Sequence, residues 1–97
     1  SDAIEPEENF NNLYAYPNPV PPTYRGHITI KGLMVDTQVR ILDAAGNLVK
    51  ILEGQGGAAV WDGNNARGQR VASGVYTAVC NTKSGKNHNS VKILIMN

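Results

Sequence analysis

Ninety-seven residues, of which 41% are hydrophobic and 18% charged, suit a single domain with a modest core and exclude a disordered segment or a coiled coil. Ten glycines and five prolines favour many turns and short elements over long helices. No apolar run approaches the ~20 residues of a bilayer-spanning helix, and no basic stretch leads into an apolar one, so neither a helical membrane span nor an intact secretory precursor is expected. The net charge of +1 conceals an asymmetry. Asp2, Glu5, Glu7 and Glu8 place half of the eight acids in the opening segment, and nine basic residues against four acids leave the rest at +5. A body this mildly basic is compatible with an anionic partner and lacks the signature of a nucleic-acid-binding domain.

In chain order, residues 1–13, SDAIEPEENFNNL, are polar, acidic and without periodicity, and are expected to form a linker or tether, with 1–3 as a cloning scar. A compact domain is then expected over 14–97, as a piece of something larger. YAYPNPVPP at 14–22 packs four prolines into the six positions from Pro17 to Pro22. Each proline lacks an N–H and fixes φ, so the segment suits an extended sheet edge and no helix. In HITIKG, Ile28 and Ile30 alternate with His27, Thr29 and Lys31, the period of a half-buried strand.

Short strands and turns follow. QVRILDA places Val39 and Ile41 together, Ala44 to Asn47 turns, and LVKILEG returns, which reads as a β-hairpin over 38–53. After the break at Gly54 to Gly57 come a brief strand, AAVW, and a long turn, DGNNARGQRVASG. VYTAVCNT sets Tyr76, Ala78 and Cys80 on one face, KSGKN turns, and SVKILIM sets Val91, Ile93 and Ile95 on one face. No stretch carries a helical period. The expectation is an all-β, immunoglobulin-like antiparallel sandwich of about seven strands, with Trp61, Tyr76, Ile28, Ile41 and Ile93 in the core; a small barrel is the competing architecture.

Catalytic and metal chemistry find little support. Cys80 shares the inward set with Tyr76 and Ala78, as a buried small hydrophobe would. His27 and His88 lack further ligands at metal-site spacing, and His88, Ser90 and Asp43 make a triad only on paper, without a G-x-S-x-G elbow. The run from Asp62 begins like a calcium loop but has Ala66 in its fifth position and Ser73 in its twelfth, where a glutamate is needed. Asp62 and Asn64 are therefore expected to bond to nearby backbone and shape a turn. GQGG at 54–57 lacks the Gly-Lys-Ser/Thr ending and helix of a phosphate loop. No catalytic residue, metal or cofactor is expected. Tyr76, after Ser73-Gly74-Val75, is placed for a tyrosine corner, with its hydroxyl bonded to preceding backbone. Tyr14, Tyr16 and Tyr24 admit two readings, as a surface for sugar or peptide or as cover for the open end of the sandwich.

YPNPV at 16–20, VRILDAAGNLVKIL at 39–52 and WDGNNARGQRVASGVYTAVC at 61–80 resemble, in order and spacing, a group of C-terminal immunoglobulin-like domains. The group comprises the FlgD-like domains and the sorting domains of the Bacteroidetes type IX secretion system. The resemblance covers 14–97, and W-D-G-x-x-x-x-G-x-x-V-x-S-G-V-Y is its most specific part. The long turn before Gly-Val-Tyr is closer to the FlgD-like branch than to cleaved sorting domains, and resembles the C-terminal domains of PorZ-like surface components. The resemblance implies a seven-stranded sandwich at the C-terminus of a secreted or cell-surface protein, at the outer membrane or in the periplasm. It also implies partners in the secretion or surface-attachment machinery, or anionic lipopolysaccharide.

Three roles follow for comparison. A sorting or attachment module would use Lys31, Lys83, Lys86 and Lys92, on the first and last strands and their turns. A passive structural domain would cap an upstream enzyme or propeller in the parent chain. A carbohydrate-binding module would use Tyr14, Tyr16 and Tyr24.

Overall fold

A computed structural model describes residues 5–97; the expected scar at 1–3 lies outside them. Seven strands follow one another: β1 (Tyr14–Tyr16), β2 (Ile28–Lys31), β3 (Thr37–Leu42), β4 (Leu48–Glu53), β5 (Ala58–Trp61), β6 (Gly74–Thr82) and β7 (His88–Ile95). They form a three-stranded sheet in the order β1-β2-β5 and a four-stranded sheet in the order β4-β3-β6-β7, with every pairing antiparallel. Two separate sheets make this a sandwich and exclude the barrel.

The alternation in the sequence decides which residues lie between the sheets. Ile28 stands opposite Trp61, and Ile30 opposite Ala59, on the inner face of the smaller sheet. Val39 and Ile41 face inward from β3, as do Tyr76, Ala78 and Cys80 from β6, and Ile93 and Ile95 from β7. Trp61, Ile28, Ile41 and Ile93 are fully buried and Tyr76 is 6% exposed, so all five expected core residues are in place. Burial of each large apolar side chain contributes about 1.5–3 kcal/mol. The indole of Trp61 meets the ring of Tyr76 edge to face across the sandwich, with centroids 5.7 Å apart and planes at 62°. That geometry sets the positive edge of one ring against the negative face of the other.

The proline-rich segment leaves β1 and crosses to the other sheet. Val20 bridges Ile95, donating its N–H to the Leu94 carbonyl at 2.8 Å and accepting the Met96 N–H at 2.9 Å. Pro17 and Pro19 donate nothing, so the segment runs along the edge of β7 as expected.

Residues 7–13 depart from the expected tether. The Glu7 N–H donates to the Leu33 carbonyl at 2.8 Å, Phe10 is 4% exposed, and the Asn89 side-chain amide donates to the Phe10 carbonyl at 2.9 Å. Gly32, at φ +88°, makes room for this segment, because a side chain there would run into the carbonyl of Asn12. A polar segment with a single aromatic has no periodicity to read. The apolar pocket that receives Phe10 is built by strands distant in sequence.

Candidate functional site

The clearest surface feature lies on the outer face of the three-stranded sheet. In β1 only Ala15 faces inward, so Tyr14 and Tyr16 both point to solvent. Their rings stack, with centroids 6.0 Å apart and planes at 30°. Across the register, Tyr14 pairs with Lys31 and Tyr16 with Thr29, which in turn pairs with Val60. Beside Tyr14 and Lys31 opens a cleft of about 280 Å³, walled by Glu5, Glu7 and Asn12 and floored at Gly32. Within it the Asn12 amide donates to a Glu7 carboxylate oxygen at 3.4 Å. Tyr24 is held differently: it packs against the core, and its hydroxyl donates to the His27 carbonyl at 2.6 Å.

The four candidate lysines are not gathered into one patch. Lys31 ends β2 and borders the cleft, which Glu5 and Glu7 also line. Lys83 and Lys86 share the β6–β7 turn, where Lys83 forms an ion pair with Glu53 at 3.3 Å. Lys92 lies on the outer face of β7, opposite Thr77. Arg40, on β3 with β6 between it and β7, turns its guanidinium to the Asn81 side chain at 3.3 Å.

Asp62 accepts the Asn64 N–H at 2.9 Å, and Asn65 accepts the N–H groups of Arg67 at 2.9 Å and Gln69 at 3.0 Å. The turn that resembles a calcium loop is thus shaped by Asp62, as expected, and by Asn65 where the Asn64 side chain was expected, while the second Asp62 oxygen lies 3.8 Å from the Lys50 ammonium. It also serves the core, because the Trp61 indole N–H donates to the Asn64 carbonyl at 2.8 Å. The Tyr76 hydroxyl donates to the Ala72 carbonyl at 2.6 Å, completing the tyrosine corner. Burial pushes the Cys80 thiol up to about 12, which favours the protonated form at neutral pH. Among the described residues, no group of three or more histidine, cysteine, aspartate or glutamate side chains is placed to hold a metal ion. His88 and Ser90 share a face of β7, while Asp43 sits in the β3–β4 turn and accepts the N–H of Asn47 at 2.8 Å. Arg70 is partly withdrawn from water, its Nε donating to the side chain of Asn97 at 3.3 Å; that desolvation, and then the charge of Arg25, lower its proton affinity.

The FlgD Ig-like domain model matches residues 24–86, most of the sandwich. The chain belongs to the FlgD Ig-like domain family. Among solved structures, this FlgD Ig-like domain is similar to part of PorZ, described as an essential bacterial surface component of the type-IX secretion system of Porphyromonas gingivalis. The two share 32% identity and superpose with a TM-score of 0.79, over 89% of this chain and 12% of the PorZ chain. The domain therefore corresponds to a small part of that longer protein. No match was found among curated protein sequences.

Sequence reasoning missed Glu7 and Asn12 as cleft residues, because the segment carrying them reads as a tether. Phe10, alone among polar neighbours, was the one available signal that it folds back onto the domain.

Proposed function

We propose that this FlgD Ig-like domain is a non-catalytic sorting or surface-attachment module of a secreted or cell-surface bacterial protein. Its partner is the secretion apparatus or an anionic lipopolysaccharide. The observation that carries this reading is the 32% identity to a type-IX secretion component over nearly the whole domain. The basic side chains support it. Lys86 and Lys92 are exposed, and neither has a carboxylate within ion-pair distance among the described residues. Lys83 exchanges Glu53 for an anionic partner at little cost, since an exposed ion pair is worth about 0–1 kcal/mol. Lys31 contributes least, because it shares its cleft with Glu5 and Glu7.

The test has two arms. Binding to anionic lipopolysaccharide is expected to weaken as salt rises above ~0.15 M, where the Debye length is about 8 Å, and to weaken further when Lys83, Lys86 and Lys92 are all changed to glutamine. In cells, the parent protein lacking this domain is expected to be lost from the surface. Unchanged localisation overturns the reading.

A further inference from the structure

Two large aromatic rings standing in solvent on adjacent outward positions of one strand call for an explanation. Tyr14 and Tyr16 are 48% and 45% exposed, whereas the hydroxyls of Tyr24 and Tyr76 are tied to backbone carbonyls. The pair adjoins a cleft whose polar groups differ in kind: Glu5 and Glu7 accept, Lys31 donates, and Asn12 does both. The backbone of Asn12 is held close over Gly32, so the wall of the cleft is anchored to the sheet beneath it. We propose that this face is a binding site for a neutral, hydroxyl-rich saccharide.

The chemistry on the two sides corresponds. One face of a pyranose ring presents C–H bonds, which lie favourably on the electron-rich face of a tyrosine. The two rings, stacked with centroids 6.0 Å apart and each nearly half exposed, offer aromatic surface to a sugar unit. A sugar hydroxyl both donates and accepts, so vicinal hydroxyls entering the cleft meet carboxylate, amide and ammonium together. Two carboxylates against one ammonium leave the cleft net negative, which selects against phosphorylated or uronic acid sugars. An apolar peptide has no use for those charged walls. The site shares only Lys31 with the attachment surface and needs no excess of positive charge, so the two proposals stand or fall separately.

The experiment is a titration of the ¹⁵N-labelled protein with neutral manno-, gluco- and galacto-oligosaccharides, followed by amide chemical shifts at low and high salt. Shifts are expected on Asn12, Tyr14, Tyr16 and Lys31 for at least one sugar, with an affinity that salt leaves unchanged. The double variant Tyr14→Ala/Tyr16→Ala is expected to bind about tenfold more weakly while melting where the parent does, since both rings are exposed. Asn12→Ala, which leaves β1 intact, serves as the second variant and is expected to weaken binding severalfold. The proposal is overturned if no neutral sugar moves these amides at millimolar concentration, or if both variants bind as the parent does. A phosphorylated sugar or a peptide binding this face more tightly than every neutral sugar also overturns it.

Discussion

Asn18 stands in for a strand residue beside Leu94. Its side-chain Oδ1 accepts the Leu94 N–H at 3.0 Å, and its Nδ2 donates to the Lys92 carbonyl at 2.8 Å. Two residues on, the Val20 N–H donates to the Leu94 carbonyl at 2.8 Å. The backbone of two prolines cannot supply this ladder, so the amide between them supplies it, and the edge of β7 is covered from Lys92 to Met96.

Replacing Asn18 with alanine is therefore expected to destabilise the domain by about 1–2 kcal/mol, the net worth of two hydrogen bonds. Asn18→Asp keeps the acceptor for Leu94 but sets a carboxylate oxygen against the Lys92 carbonyl, so its loss is expected to be at least as large. Chemical denaturation measures both. Equal stability of Asn18→Ala and the parent would show that water replaces the amide without cost.

Trp61→Ala is expected to cost about 3–5 kcal/mol, because it opens a cavity between the sheets and strands the face of Tyr76. Tyr76→Phe keeps the ring contact and loses only the bond to Ala72, a cost of about 1 kcal/mol. Urea unfolding of the two variants tests the order. A Trp61→Ala loss below about 1 kcal/mol would contradict the central place of the indole.

Phe10→Ala is expected to destabilise by about 3 kcal/mol, whereas Glu8→Ala, at an exposed neighbouring position, is expected to stay within about 0.5 kcal/mol. A tether would be indifferent to both changes. Equal melting temperatures for the two variants would return residues 7–13 to that status.

Asp43 accepts the N–H groups of Asn47 at 2.8 Å and Ala45 at 3.0 Å, and these bonds, that of Asn47 foremost, hold its carboxyl below the usual aspartate value. The folded state then binds this proton more weakly than the unfolded chain does. The resulting stability is complete above the unfolded value of about 4 and is lost as pH falls through the lower folded value. Thermal melting followed from neutral into acid pH is expected to show the midpoint drop below about pH 4. Asp43→Asn, which keeps an acceptor and does not titrate, is expected to drop less. Parallel profiles would remove Asp43 from the acid response.

The inward sets of β2, β3, β6 and β7 were legible in the sequence, because a strand turns alternate side chains to opposite faces and apolar residues recur at every second position. Trp61 and Tyr76 were legible for a related reason. Both of their polar groups are satisfied within four residues, by Asn64 and Ala72, so local sequence carries the instruction. The carbonyl of Phe10 is met by Asn89, 79 residues away, and the amide of Leu94 by Asn18, 76 residues away. Period and turn chemistry act over a few residues and do not encode such pairings. They arise only once the two sheets have packed and left an apolar slot at one place and an open strand edge at another. The same packing tied the Tyr24 hydroxyl to backbone while leaving Tyr14 and Tyr16 in solvent, lined one cleft with Glu7, Asn12 and Lys31, and spread the four lysines over both sheets. Residue type predicted what each side chain could do, and the contacts between distant strands decided which of them could act together.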